Sequence, residues 1–490
     1  MNINNLTKDL PHIKISGDPS LPIRGIAYDS RKVKPGFLFA ALQGENADGN
    51  RFVENALKNG AAAVLSENPV PPQFLKTWIQ VQDARSALAR CSAHFFGHPS
   101  SRMKVAGVTG TKGKTTVTYL LESILLQNGH SPGVIGTISY RGPGLKQAAE
   151  RTTPEAPDLQ RLMRILLDNK TSHCIMEISS HSLELKRTEA VHFDAAVFTN
   201  LSGEHLDFHG TIEKYFEAKK KLFSLEEKCV SVINSDDSWG QKLLHEFPSR
   251  AVTFGLESRA LVHPLNTVFS RKGIMASVTS PFGLVKVNSP LLGKPNFYNI
   301  LAAVSTALIL NIPIPAIEKG IKRLSCIPGR FEKITNPQGL DIYVDYAHTD
   351  AALKNLLETA SELSSGRVIL IFGAGGDRDK TKRPRMGMEA GNAADWTIIT
   401  SDNPRSEDPM AIISQIEAGF SKTGNRRYEI EPDREKAIRK AVFMGRPGDM
   451  ILIAGKGHEN YQIIKDRVIH FDDREVVREI INGMKDVGHG

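Results

Sequence analysis

Apolar positions along the chain follow two rhythms that take turns. Short unbroken runs such as Val105-Ala106-Gly107-Val108 have the length and composition of strands buried on both faces. The next stretch changes period. Val117, Leu120, Leu121, Ile124 and Leu125 recur at i, i+3, i+4, i+7 and i+8, one face of a helix, and Gly129 supplies its stop. The same alternation sorts the chain into three blocks. Residues 1–98 carry IRGIAYDS, GFLFAAL and AAAVLS and close at the turn-rich GHPSSR. Residues 99–331 open with MKVAGVTG and run into CIPGRFE, and residues 332–490 contain LDIYVDYAH, VILIFGAGG, WTIITSDNP and DMILIAGKG. Strand runs that end in Gly or Asp and pass into helical patterns predict parallel sheets, with ligands at the C-terminal strand ends. The expected class is therefore α/β in three domains: a smaller N-terminal one, a central one with a mostly parallel sheet, and a Rossmann-like C-terminal one.

Length agrees with that division, because a single core rarely grows past about 250–300 residues and the chain has 490. With 40% apolar and 24% charged residues it reads as an ordinary soluble protein. It shows no apolar run of membrane-spanning length and no basic-then-apolar leader, so neither a membrane span nor a signal peptide is expected. Cys91, Cys174, Cys229 and Cys326 lie too far apart for a zinc or disulfide framework, which fits a reducing cytoplasm. The net charge of +8 raises nucleic acid as a partner. Lys and Arg are nevertheless spread along the chain among Asp and Glu, without RNA-binding aromatics or zinc-finger spacing. Basic pockets for phosphorylated, acidic small molecules account for the excess equally well.

The turn between the first strand and helix of the middle block carries the sharpest chemistry. Gly113-Lys114-Thr115 resembles the end of a phosphate-binding loop, yet the usual glycine five positions earlier is Val108, and glycines stand at 107 and 110 instead. A strand leading into a helix N-terminus is still what a phosphate requires, since free N–H groups and the helix dipole point at it. Gly110 and Gly113 allow close approach, Lys114 would neutralise phosphate oxygens, and Thr115 would offer a hydroxyl to Mg²⁺. A nucleoside triphosphate is the expected ligand; a glycine turn with a solvated lysine is the plain alternative. The Gly373–Gly376 stretch is a weak dinucleotide signal, because Arg378 occupies the third glycine's place.

Taken in order, the motifs resemble the ATP-dependent Mur ligases of bacterial cell-wall synthesis. They are GTKGKTT (110–116), TTPEAP (152–157), MEISSHSLELKR (176–187), FTNLSGEHLDFHG (198–210) and YFEAKKKLF (215–223). KPNFYNILAA (294–303), PGRFE (328–332), VDYAHT (344–349), GAGGDRDKTKRP (373–384), SDNPRSEDP (401–409) and AGKGHENYQ (454–462) complete the series. The resemblance implies a central P-loop-type ATPase domain, an N-terminal UDP-binding domain and a C-terminal amino-acid-binding domain. It also implies an amide ligase that phosphorylates a carboxylate and lets an amine attack the acyl phosphate. The implied substrates are ATP, UDP-N-acetylmuramoyl-L-alanyl-D-glutamate and meso-diaminopimelate, with L-lysine as the alternative amine. A cytoplasmic monomer that binds neither nucleic acid nor membrane is expected.

By residue, the resemblance places ATP on Gly110, Thr111, Lys112, Gly113, Lys114, Thr115 and Thr116. Adenine would lie near Asn296 and Asn299, with Arg330, Asp345 and His348 ordering the nucleotide. Lys114, Glu177, His205 and Lys219 are the implied catalytic set, and Thr115, Glu177, His205 and carbamylated Lys219 the implied Mg²⁺ ligands. Read alone, a single Glu at a strand end is a cap or solvated carboxylate, and H-x-D-x-H at 205–209 could also suggest zinc. Lys219-Lys220-Lys221 would ordinarily be a solvated face. Successive helical residues turn by about 100°, however, and Ala218 and Leu222 flank a buried side that lets Lys219 point inward.

Asp29, Ser30, Glu45, Asn46 and Ala47 match the uridine side, and Thr152, Thr153, Ser179 and Arg187 the muramoyl peptide. Asp402-Asn403-Pro404-Arg405 reads plainly as a turn, followed by Asp408-Pro409 as a helix start. A turn has no need of Arg405, whose planar fork suits a carboxylate. In the family this form accompanies diaminopimelate, and Arg378, Gly455 and Glu459 match its other amino-acid contacts. One departure is Asp350, where the family has Pro; it alters a helix start. A folate-type ligase fits the UDP-side motifs poorly. A nucleotide-switch protein would need a strand-end Asp and a sensing segment in place of Glu177 and Lys219.

Overall fold

The computed structural model describes residues 1–44, 47–225 and 228–487. The chain divides into two compact units. One is Met1–His263 with Thr279–Val285 and Ile300–Gly320; the other is Pro264–Val278 with Lys286–Asn299 and Ile321–Gly490. Residues 264–278, 286–299 and 321–331, which the sequence groups with the middle block, thus fall in the second unit.

The first unit holds two sheets. Five short strands run in the order Lys14–Ser16, Thr77–Gln80, Ala61–Ser66, Phe37–Ala40, Gly25–Ala27, all parallel to their neighbours except the first pair. Successive side chains point to opposite faces. Leu38, Ala63, Leu65 and Ile79 therefore meet the helix Ala84–Phe96 through Leu88 and Cys91, while Phe39, Val64 and Trp78 pack with Val53 and Ala56 of another helix. Both faces are covered, which is why these strands read as unbroken apolar runs.

The second sheet has eight strands in the order Ala251–Phe254, Val230–Asn234, Ala195–Phe198, Lys104–Thr109, His173–Glu177, Gly133–Ile135, Ser139–Gly142, Leu145–Ala148. The first six are mutually parallel and the last two fold back antiparallel. Lys104–Thr109 lies at the middle, with Glu177 in register with Val108 on one side and Phe198 with Thr109 on the other. Three C-terminal strand ends therefore lie side by side, the place where parallel sheets bind ligands. The expected helix forms over Lys114–Gln127; its five periodic residues are buried, and Gly129 takes the left-handed φ of 77° just beyond the Asn128 cap.

The second unit is built on six strands, Glu332–Lys333, Asp341–Asp345, Met450–Ala454, Val368–Phe372, Trp396–Ile399 and Tyr428–Ile430, parallel except for the first pair. Two apolar layers cover its faces, one around Leu370, Phe372 and Leu452 and the other around Ile369, Ile371 and Ile451. Thr349 caps the helix Asp350–Leu363 by accepting from Ala352 N–H, so Asp350 in the proline's place leaves the helix start intact. Asp408 caps Pro409–Ser421 with proline in its first turn, as the sequence predicts.

Candidate active site

The phosphate loop runs from Thr109 to the first turn of the helix. Gly110 and Gly113 have φ of 143° and 89°, a region that disfavours side chains. A Cβ on Gly110 would come within 1.9 Å of Thr199 Oγ1. Thr199 and Asn200 brace the loop from the neighbouring strand end. Thr111 N–H donates to Asn200 O at 2.9 Å and Lys112 N–H to Asn200 Oδ1 at 3.0 Å, while Thr199 Oγ1 donates to Lys112 O at 2.6 Å. No side chain caps the helix at Gly113, so its first turn presents backbone donors. Lys114 Nζ bonds Gly110 O at 2.8 Å and Thr111 O at 3.0 Å, across the loop's own carbonyls.

Glu177 ties the loop to the adjacent strand. It is 1% exposed, and its carboxylate accepts from Thr115 Oγ1, Thr137 N–H and Thr137 Oγ1, each at 2.9 Å. Gly136 is required beside it, since a Cβ there would fall 2.4 Å from Glu177 Oε1. Thr115 and Glu177 thus already form one hard-oxygen pair of the kind Mg²⁺ takes. Among the described residues, no three His, Cys, Asp or Glu side chains converge on one metal position. His209 Nε2 instead stands 2.9 Å from Ser180 Oγ, so the H-x-D-x-H spacing finds no zinc cluster here.

Lys219, on the helix Ile212–Ser224, does turn inward. It is 1% exposed, and its Nζ donates to Gly110 O at 3.0 Å and lies 4.5 Å from the Tyr215 ring centre. Burial, reinforced by Lys114 and opposed by Glu204, holds its amine far below the ordinary lysine pKa. His205 has a left-handed φ of 58° and packs edge-on against His181 at 4.9 Å; burial brings its pKa down to about 4. The loop, Glu177, His205 and Lys219 are thus gathered at one end of one sheet.

The residues matched to the muramoyl peptide adjoin this cluster. Thr153 Oγ1 donates to Glu177 O at 2.8 Å and accepts from Ser179 N–H at 3.1 Å, and the Thr152 and Thr137 hydroxyls are 3.1 Å apart. Arg187 is buried, donates to Thr153 O at 3.2 Å and pairs with Glu155 at 2.9 Å. Burial lowers its pKa despite that partner. Asp29 caps the short Ser30–Lys32 helix and pairs with Arg31, and Ser30 is buried behind it. Ala47 is exposed, while Glu45 and Asn46 lie outside the described residues.

The remaining candidates belong to the second unit. Asp402–Arg405 follow the strand Trp396–Ile399. Arg405 has a left-handed φ of 52°; its N–H donates to Ile463 O at 3.0 Å and its guanidinium to Gly376 O at 2.7 Å. Asn403 Nδ2 donates to Glu459 Oε2 at 2.8 Å, and Asp402 O accepts from Gln462 Nε2 at 2.7 Å. Gly455, with φ of 114°, leaves room for Asp402, whose Oδ2 would lie 2.6 Å from a Cβ there. Pro404 O presses closer still on Gly376, where it would stand 1.9 Å from an added Cβ, so that glycine too is required. Arg378 donates to Asp377 O at 3.2 Å. Burial, with Asp402 adding to it, pushes the Glu459 carboxyl up.

Arg330 lies over the Tyr346 ring at 4.7 Å, and Asp345 accepts from Phe331 and Ala347 N–H groups at 2.7 and 2.8 Å. His348 Nδ1 is 2.8 Å from Tyr346 O. Asn296 Nδ2 donates to Leu292 O at 2.8 Å, and Asn299 reaches Asn296 at 3.4 Å. Sequence reasoning assigns no role to Thr137, nor to Glu155, Thr199 and Asn200, although these three lie inside the motifs TTPEAP and FTNLSGEHLDFHG. They act on other protein groups, so their spacing does not reveal what each one does.

Family models match three stretches: the Mur ligase family catalytic domain at 22–96, the Mur ligase middle domain at 108–307, and the glutamate ligase domain of Mur ligases at 329–457. A protein of Solibacter usitatus named UDP-N-acetylmuramoyl-L-alanyl-D-glutamate–2,6-diaminopimelate ligase is 44% identical over 94% of each chain. A Geobacter metallireducens protein of the same name is 42% identical over the full length of both. A solved structure with that name superposes with a TM-score of 0.72 at 32% identity, covering 99% of each chain. MurF from Acinetobacter baumannii, 18% identical with a TM-score of 0.67 over 98% of each chain, shares the fold.

Proposed function

This chain belongs to the Mur ligase family, and we propose that it joins meso-2,6-diaminopimelate to UDP-N-acetylmuramoyl-L-alanyl-D-glutamate with ATP, in peptidoglycan precursor synthesis. The observation that carries this reading is the Thr115–Glu177 hydrogen bond at the phosphate loop, with buried Lys219 on the same loop's Gly110 carbonyl. A phosphate-binding loop, a hard-oxygen pair and a lysine pressed toward neutrality are the parts needed to activate a carboxylate. Residues 1–98 take the uridine nucleotide, 99–331 the ATP, and 332–490 the amino acid.

A carboxylate and an amine do not condense at neutral pH because the leaving group would be oxide. A carboxylate oxygen of the D-glutamate attacks the γ-phosphorus, the bond to the β-phosphate bridging oxygen breaks, and ADP leaves. The amine nitrogen then adds to the acyl carbon, loses its proton, and the tetrahedral intermediate expels phosphate. The chain must hold two anions together for the first step, which concentrated positive charge makes possible. Lys114 and the helix N-terminus bind the phosphates, and Arg187 holds the peptide's carboxylate. Thr115, Glu177, His205 and Lys219 would hold Mg²⁺, which supplies charge neutralisation on the transferred phosphoryl group. Lys219 takes part as its carbamate: a neutral amine adds to CO₂, forms an N–C bond and releases one proton. The lowered pKa of buried Lys219 favours that addition.

Arg405 sets the choice of amine. Diaminopimelate carries a carboxylate beside its distal amine, which a guanidinium can grip with two hydrogen bonds; lysine offers only an ammonium there, and Arg405 repels it. Loss of such a pair costs on the order of 2–4 kcal/mol. Glu459 takes the distal ammonium, with Arg378, Asn403 and Gly455 completing the corner. No helix among the described residues is long and apolar enough to cross a membrane, and a cytoplasmic monomer acting on small molecules is the state we assign. Phosphate release measured with ATP, Mg²⁺ and the UDP-muramoyl dipeptide tests the whole. Release should require an added amino acid and favour diaminopimelate; preference for lysine, or release without amine, overturns the proposal.

A further inference from the structure

Behind the Asp402–Arg405 corner lies a lysine that neither phosphoryl transfer nor amide formation uses. Lys456 is 0% exposed, yet it sits between two glycines at the end of the strand Met450–Ala454, where an apolar side chain would fill the space at less cost. Its Nζ is saturated: it donates to Tyr461 O, to Glu459 Oε2 at 3.3 Å and to Asn403 Oδ1 at 3.4 Å. Ile463 N–H also donates to Asn403 Oδ1, at 2.9 Å. Two donors on that oxygen fix which way the Asn403 amide faces, and so aim its Nδ2 at Glu459. Both bonds to Glu459 fall on Oε2, and among the described residues no partner falls on Oε1.

We propose that Lys456 is the positioning residue for amino-acid recognition, fixing the Asn403 amide and the Glu459 carboxylate so that Glu459 Oε1 meets the ammonium of the incoming amino acid. This rests on the assignment of that corner to diaminopimelate. Lys456 touches no substrate; its effect passes through Glu459, which burial and Asp402 push toward the neutral acid. A cation 3.3 Å away opposes that push.

The test uses the full-length protein and steady-state kinetics with each substrate varied in turn. Lys456→Met should raise KM for diaminopimelate at least 30-fold and leave KM for ATP and for the UDP-muramoyl dipeptide within threefold. Lys456→Arg should recover part of the loss. In a Glu459→Gln background, adding Lys456→Met should change KM for diaminopimelate less than threefold, because the group it acts through is already gone. Should Lys456→Met fail to fold, the double variant, which buries no unpaired carboxylate, carries the comparison. An unchanged KM for diaminopimelate in Lys456→Met, an equal rise for all three substrates, or effects that multiply in the double variant overturns the inference. A wild-type protein that prefers lysine sinks the corner's assignment instead, whatever the variants do.

Discussion

Gly110→Ala isolates what the displaced glycine of the phosphate loop does. The added methyl group would lie 1.9 Å from Thr199 Oγ1 and 3.1–3.2 Å from the Asn200 backbone, at a φ of 143°. Holding alanine at that φ costs about 1–3 kcal/mol. Pushing Thr199 aside breaks its bond to Lys112 O, worth about 1 kcal/mol. Together they give roughly 2–4 kcal/mol, a fall in Tm of about 3–7 °C for a unit of this size. The loop can relax only by moving Lys112 and the Lys114 turn, and a displacement near 1 Å costs about a hundredfold in rate. Melting curves and kcat/KM for ATP should show both losses. Thr199→Ala in the same chain removes the obstructing oxygen but not the φ strain, so the double variant should regain part of the stability. A Gly110→Ala protein with the Tm and ATP kinetics of the unaltered chain would refute the requirement for glycine. If Thr199→Ala alone does equal damage, the hydroxyl's own bonds, rather than the clash, are responsible.

Other substitutions probe the remaining parts. Lys219→Ala should lose turnover and regain some with an added short carboxylic acid, and carbon-13 hydrogencarbonate should give a carbamate NMR signal in the unaltered protein only. Arg405→Ala should raise KM for diaminopimelate by roughly 30- to 1000-fold, the equivalent of about 2–4 kcal/mol, and narrow its advantage over lysine; equal loss for both amines would contradict the carboxylate grip. Arg434 and Asp473 are both fully buried and paired at 2.7 Å, so Arg434→Met strands a carboxylate and should destabilise by about 3–5 kcal/mol in urea. His173, buried beside His130, has its pKa brought down to about 4. The unfolded chain takes up a proton there from about 6.5 downward while the folded one resists until about 4. Its contribution is therefore complete above 6.5 and is lost as pH falls toward 4; His173→Asn should flatten that part of the stability–pH curve.

Much of this was legible because local rules applied. Val117 to Leu125 announced a helix that forms over Lys114–Gln127, and Asp408-Pro409 announced another. Lys219 was separable from Lys220 and Lys221 because only one side of that helix is apolar, and burial follows it. What stayed hidden depends on residues far apart in sequence. Thr199 and Asn200 look like ordinary strand-end residues until the parallel register sets them against the loop. Lys456 stands inside AGKGHE, but alternation of glycine and charge there gave no sign that its side chain runs inward. The passage of 264–278 and 286–299 into the second unit leaves no mark in composition.

The distances in sequence that build the phosphate site also set when it can exist. Thr115 meets Glu177 across 62 positions, and Gly110 meets Lys219 across 109. Loop closure over such spans precedes any reward, which makes the site a late product of folding. During synthesis the glycine loop emerges from the ribosome long before its partners, so nucleotide cannot template the nascent chain. Pulse-labelled chains halted before residue 219 should give no ATP-dependent protease resistance, and those released after the eight-stranded sheet is complete should gain it.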